Sequence, residues 1–276
     1  MPIIIENTLI LLSLFFWLSF IIFSIIIKNE KYFFHIPALI FQFFWIFYRI
    51  FETGHAPFAG FYESLVFFGF LYGLKIIFFT SFNRNIKAYA IIPVIFLLLI
   101  SLLLPDGLKT SLQLAPALKS FWIYVHVPVI FIGYVSLTIG FILSVHPSFK
   151  KEATPKTRCE ASFQETSPQE VLLQEVLLQE VSLQEVSFLN NEINLAFFFI
   201  TAGIITGGFW AELSWGTFWS WDPKEVCALI TWVILAAYFH IPSLKWKKVS
   251  IIFAFISMLF MYFGAIFILP GLHSYK

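Results

Sequence analysis

The chain has 276 residues, of which 59% are hydrophobic, 20% aromatic and only 12% charged, with a formal net charge of +1 and a mean hydropathy of +0.86. Such a composition excludes a soluble globular domain and, lacking a basic excess, a nucleic-acid binder; it defines an integral membrane protein that crosses the bilayer repeatedly. The apolar runs are continuous and do not alternate, which excludes a β-barrel and predicts an all-α fold.

A helix crossing the hydrocarbon core needs roughly 20 apolar residues. In chain order such stretches run over Thr8–Ile27, Tyr32–Ile50, Tyr62–Thr80, Ala88–Leu104, Phe121–Val145, Leu195–Glu212, Glu225–His240 and Ser250–Leu269. About eight transmembrane helices are expected, the second interrupted by Pro37, Gln42 and Arg49 and the seventh short. Residues 1–146 then hold helices one to five, 147–194 a connecting loop, and 195–276 the last three helices. Before the first apolar run stand only Glu6 and Asn7, with no basic n-region and no Arg/Ser-rich segment, so no cleavable leader is expected.

Lysine and arginine in connecting segments mark the side from which the chain inserts, here called cis. An even helix count puts both termini on one side. Twelve of the seventeen basic residues (Lys28, Lys31, Lys75, Arg84, Lys87, Lys150, Lys151, Lys156, Arg158, Lys245, Lys247 and Lys248) fall on the other, which is therefore cis. Phe, at 37 residues, and abundant Ile both use A/T-rich codons, which points to an organellar genome or a bacterium of similar bias.

The cis-side connection carries a five-residue tandem repeat, QEVLL, QEVLL, QEVSL, QEVSF, from Gln169 to Phe188, preceded by a faded copy, QETSP. Each step of five turns a helix by about 140°, so the apolar positions spread around the cylinder and build no single stripe. The repeat is expected to be a low-complexity insertion, poorly ordered or weakly helical. Cys159 and Cys227 are the only cysteines and lie on opposite sides of the membrane in this topology. With no C-x-x-C, a dithiol relay or a cysteine-bound metal cluster is not expected, and Cys227 reads as a small core residue.

Between the sixth and seventh helices stands W-A-E-L-S-W-G-T-F-W-S-W-D-P-K-E, which gathers Trp210, Trp215, Trp219 and Trp221 beside Asp222 on the trans side. Tryptophan is bulky and its N–H needs a partner, so four in one short segment exceed what core packing calls for and suit a large flat ligand. Asp222, Pro223 and Glu225 also form a capping-box-like start for the seventh helix, which explains those three residues but not the tryptophans. Lys224 at the same helix start can pair with an anionic group of the ligand.

Ionisable residues at membrane depth usually serve a pathway or a ligand. His126, in W-I-Y-V-H-V-P, and His273, in P-G-L-H-S-Y, both fall at the trans level of the tryptophan segment. Two neutral imidazoles flanking an aromatic floor can take the axial positions of a haem iron; the bland alternative is that each bonds singly to a carbonyl or water. His240 closes the seventh helix on the cis side, roughly 22 Å from Glu225 at 1.5 Å per residue, and cannot share that site. It either ligates haem on the cis side or serves as a helix C-terminal charge. His55, in E-T-G-H-A-P-F, is trans-side with a functional part possible; His35 and His146 lie at cis helix ends.

The segment W-G-T-F-W-S-W-D-P-K-E resembles the tryptophan-rich WWD signature of haem-handling membrane proteins. T-G-H-A-P-F-A-G-F-Y-E-S (Thr53–Ser64), V-H-V-P (Val125–Pro128), A-A-Y-F-H ending at His240, and G-L-H-S-Y (Gly271–Tyr275) resemble the CcsA/ResC cytochrome c biogenesis family, most of all its plastid-encoded branch. The resemblance implies a component of a cytochrome c synthase that binds haem b and presents it on the lumenal or periplasmic face for covalent attachment to the C-x-x-C-H motif of an apocytochrome c, of cytochrome f or c6 type in a plastid. It implies a haem-binding loop made by Trp215, Trp219, Trp221 and Asp222, trans-side axial ligands at His126 and His273, and a ligand of a transmembrane haem site at His240. It further implies a CcsB/ResB-type partner, which brings another histidine, and a thylakoid membrane location or, alternatively, a bacterial inner membrane. No separate catalytic nucleophile is expected, because the attacking thiols belong to the client. The competing readings are a haem exporter or lyase of another WWD pathway, and a transporter or respiratory subunit whose tryptophans form only an interface belt.

Overall fold

The computed structural model describes residues 2–26, 34–77, 84–110, 116–146 and 168–264; side chains are described throughout these except at 24–26, 84–88, 116–117 and 168–182. All regular structure in them is helical: α1 (Pro2–Ile26), α2 (His35–Thr53), α3 (Phe61–Ile77), α4 (Arg84–Leu103), the short α5 (Asp106–Lys109), a 3₁₀ turn (Pro116–Lys119), α6 (Phe121–Val145), α7 (Pro168–Trp215), α8 (Pro223–Tyr238) and α9 (Leu244–Leu259), which continues as a π turn over Phe260–Gly264. Each of the eight expected apolar stretches overlaps a helix among the described residues; positions 27, 32–33, 78–80 and 265–269 of those stretches lie outside them. Among the described residues, five helical segments are long and apolar enough to cross a membrane: Pro2–Phe23, His35–Thr53, Phe121–Val145, Leu183–Trp215 and Leu244–Gly264. The protein is a multi-pass helical membrane protein.

Two groups of helices pack side by side. In the first, α1 lies on α2 and α4, and α3 on α4 and α2; in the second, α6 pairs most extensively with α7, while α9 packs on α8 and α6. Contacts of α3 and α4 with α6 join the groups. The α6–α7 pair is close because Gly133 brings the two backbones together: a β-carbon there would stand 2.9 Å from the backbone nitrogen of Ile200. Small residues at such a seam let helices gain dispersion contacts that lipid cannot supply. Phe43, Phe47, Phe51, Phe96 and Phe198 point outward, as lipid-facing side chains do.

Three expectations change. The repeat is helical, and α7 runs unbroken from Pro168 through the whole repeat to Trp215. Glu, Gln and Leu are strong helix formers, proline starts the helix at its first position, and no glycine follows before Gly203, so local propensity prevails without an apolar stripe. Just past the last repeat, Leu189 is fully buried. The seventh helix starts and ends two residues early, so His240 lies beyond it in a turn, exposed, its N–H donating to the Ala237 carbonyl at 3.0 Å. Lys75, counted among the cis-side connections, sits inside α3, where its ammonium pairs with Glu192 of α7 at 2.7 Å and donates to Ser136 of α6 at 2.6 Å.

Candidate functional site

The tryptophan segment is built by the end of α7 and the start of α8. After Trp215, Gly216 ends α7 in the left-handed conformation (φ 79°), its N–H bonding to the Glu212 carbonyl at 2.9 Å. The chain then turns back so that Phe218 lies edge-on to Phe209 of α7, ring centroids 5.5 Å apart. At the other end Asp222 caps α8: its carboxylate accepts the Lys224 N–H at 3.0 Å, and Glu225 completes a capping box. Glu225 does more than cap. Its Oε2 accepts the backbone N–H groups of Ser220 (2.8 Å) and of Asp222 (3.3 Å), and the Ser220 hydroxyl also donates to the carboxylate. One carboxylate thus grips the residues on either side of Trp221, which is held at φ 60° and is 70% exposed. Trp219 stands perpendicular to Trp221, centroids 5.9 Å apart.

The four tryptophans therefore divide into two pairs. Trp219 and Trp221 form the outer one. Trp210 and Trp215 form an inner, edge-to-face pair at 4.8 Å, with Trp210 only 3% exposed and packed with Leu118 and Ile123. Of the four, Trp210 is the one buried among core residues.

Trp210 backs His126. Their rings are nearly parallel, at 9°, with centroids 6.0 Å apart. His126 is on the second turn of α6, which Ser120 caps through the Trp122 N–H at 3.3 Å. Its Nδ1 lies 2.9 Å from the Gly203 carbonyl of α7, and Trp122 stacks on Phe209 one turn away. Phe58 and Ala59 of the α2–α3 loop pack against the same Leu118–Ile123–Trp210 cluster. That loop carries His55, whose Nδ1 is 3.0 Å from the Ala56 carbonyl. His126, His55 and the tryptophan segment thus gather at one end of the molecule, and His240 lies past the far end of α8. His273 lies outside the described residues; Tyr262, in the π turn after α9, shares a 2.5 Å hydrogen bond with Ser64 in the first turn of α3.

A buried charge cluster that sequence reasoning did not foresee fixes the His55 loop. Glu63 accepts the N–H groups of Ala59 and Gly60 on Oε2, both at 3.2 Å, and the Arg49 Nε on Oε1 at 2.9 Å. Arg49 also pairs with Glu6 at 2.8 Å and donates to the Lys109 carbonyl at 2.9 Å. The Lys109 ammonium donates to the Leu102 carbonyl at 2.8 Å. Two acids and two bases, each 5% exposed or less, form a neutral set, the condition under which charges tolerate burial. Arg49 and Glu63 were legible as polar intrusions into apolar runs; nothing in the sequence told which acid meets which base.

Burial lowers the pKa of the Lys224 ammonium, and the neighbouring Asp222 carboxylate partly restores it. Cys227 is buried in α8, as expected of a core residue.

Fold and site together define a multi-pass helical membrane protein with an aromatic and imidazole site at one face of its bundle. The family model described as "Cytochrome C assembly protein" matches residues 58–273. A cytochrome c biogenesis protein CcsA of Chlamydomonas reinhardtii is 35% identical over 245 residues, 81% of this chain, and the chain spans 62% of that relative's length. The protein of the same name from Prochlorococcus marinus strain MIT 9515 is 34% identical, covering 83% of this chain and 78% of its own. The one from Heterosigma akashiwo is 32% identical over 98% of this chain and 92% of its own. The chain belongs to the cytochrome c assembly family.

Proposed function

We propose that this chain, a protein of cytochrome c biogenesis, receives haem b, holds it at the trans face against the tryptophan segment and presents it to apocytochrome c. The observation that carries this reading is the placement of the His126 imidazole, parallel to the Trp210 indole and seated on α7, at the end of the bundle where Glu225 turns Trp221 outward. His126 and His273 are the axial ligands, Trp215, Trp219 and Trp221 give the porphyrin its apolar faces, and Lys224 pairs with a propionate. Asp222 sets the loop by capping α8. His240 belongs to a second, cis-side haem position, and His55 borders the trans site.

The attachment step is an addition. The S–H bond of a client cysteine breaks, sulfur bonds to one vinyl carbon and the proton ends on the other, so each thioether forms without net oxidation. No nucleophile from this chain is required. Its residues hold the macrocycle in one orientation with a vinyl edge open, and pre-positioning of that kind supplies most of the rate advantage such a site can give. Two imidazoles keep the iron six-coordinate until the histidine of the client motif replaces one. A CcsB/ResB-type membrane partner completes the synthase, the membrane is the thylakoid, the tryptophan segment faces the lumen and the clients are of cytochrome f or c6 type.

The test is maturation of a reporter apocytochrome in a bacterial host stripped of its own maturation genes and supplied with this chain and a ResB-type partner. The expected result is covalent haem on the reporter with wild type and its loss with Trp219→Ala/Trp221→Ala at equal membrane abundance. Undiminished attachment by that variant overturns the reading.

A further inference from the structure

The proposed axial ligand touches α7 at a pair of adjacent glycines, and each glycine makes room for a different part of the site. A β-carbon at Gly207 would fall 2.8 Å from Cε1 and 3.0 Å from Nδ1 of the His126 ring. A β-carbon at Gly208 would overlap the Phe218 ring of the tryptophan segment. One turn back, the Gly203 carbonyl lies 2.9 Å from His126 Nδ1. A carbonyl oxygen only accepts, so Nδ1 must carry the hydrogen, and in the neutral ring the lone pair then resides on Nε2. Successive helical residues project about 100° apart. The Gly207–Gly208 step therefore registers the imidazole on one face of α7 against the loop on the next.

Resting on the proposed haem site, we infer that Gly207 and Gly208 are its positioning residues. Gly207, together with the Gly203 carbonyl, seats His126 in the Nδ1–H tautomer with Nε2 as the iron ligand; Gly208 docks the tryptophan segment at a fixed offset from that nitrogen. A methyl group at 207 cannot be absorbed by swinging the ring away without breaking the bond to Gly203, and outer-shell bonds of this kind typically govern metal affinity about 10–100-fold. A methyl at 208 leaves the imidazole in place and displaces Phe218.

The experiment purifies the full chain with its ResB-type partner as wild type, His126→Ala, Gly207→Ala and Gly208→Ala, and records haem content, absorption spectrum and midpoint potential with and without added imidazole. The expected result is that Gly207→Ala loses haem about 10–100-fold more readily, shows a shifted spin state and potential, and recovers the low-spin spectrum with imidazole, as His126→Ala does. Gly208→Ala should lose haem while retaining the wild-type spin state, with no rescue by imidazole. A change in His126→Ala alongside wild-type behaviour of Gly207→Ala overturns the seating inference. Wild-type haem retention by Gly208→Ala overturns the docking inference. No change in His126→Ala overturns the haem-site reading on which both rest.

Should Gly207→Ala fail to accumulate, a His240→Ala/His273→Ala chain with ¹⁵N-labelled histidine, combined with an unlabelled partner and unlabelled imidazole, makes His126 the one labelled ligand among the proposed set. Pulsed EPR of its ferric form should then show Nε2 bound to iron with Nδ1 protonated, and Nδ1 as the bound nitrogen overturns the inference.

Discussion

Trp221 is the one non-glycine residue with positive φ among the described residues, a conformation in which a bulky side chain is uncommon and needs support from its surroundings. That support is Glu225, which accepts the N–H groups on both sides of it. Removing the carboxylate leaves two backbone donors without their acceptor. Glu225→Ala should lower stability by about 1–2 kcal/mol and relax Trp221; thermal unfolding in detergent and indole fluorescence read the two effects separately. Lys224 gives a second prediction. Its pKa is lowered, chiefly by burial, so its positive form is lost at lower pH than that of an ordinary lysine. If the ammonium holds a propionate, haem retention is full below the lowered pKa and declines as pH rises through it. Lys224→Arg, which stays charged, should remove that alkaline decline in a haem-release titration.

At the scale of elements, the α2–α3 loop owes its position to Arg49 and Glu63 more than to its own residues. Glu63→Ala leaves Arg49 short of one buried counter-charge, and breaking a buried pair in this way costs about 3–5 kcal/mol. Thermal unfolding in detergent should show the loss, whereas an exposed acid such as Glu52 changed to alanine should leave stability near wild type. The repeat marks the opposite case. Leu189, just past its last copy, is buried, and the haem site is proposed at the other end of the helix. Deletion of Gln169–Leu178 should leave haem content and spectrum unchanged.

The same elements show how much was legible in the sequence. Apolar run length located a helix at each predicted stretch among the described residues, and Asp222-Pro223-Lys224-Glu225 was readable as a cap because capping is local. The repeat misled because its lack of an apolar stripe outweighed the propensity of Glu, Gln and Leu. The burial of Trp210, the seat of His126 on Gly207 and the pairing of Glu6 with Arg49 all join residues far apart in the chain, and no local pattern encodes such pairings.

For the whole molecule, the charge bias predicts that the tryptophan segment and the α2–α3 loop share the trans face while the repeat lies cis. The packing of Phe58 and Ala59 with Trp210 agrees with the first part, since residues in contact share a side. In right-side-out vesicles from the inner membrane of a bacterial host, whose outer face is trans, a Thr217→Cys chain should react with an impermeant maleimide and a Lys151→Cys chain should not, once Cys159 and Cys227 are changed to serine; the reverse pattern inverts the orientation. The central claim, that the trans end of this bundle holds haem between two of its histidines, is tested most directly by the absorption spectrum of the chain purified with its partner, as wild type, His126→Ala and His273→Ala. The account predicts a bis-histidine low-spin spectrum that is lost or shifted in each variant and restored by added imidazole. Haem content and spectrum unchanged in both variants would contradict it.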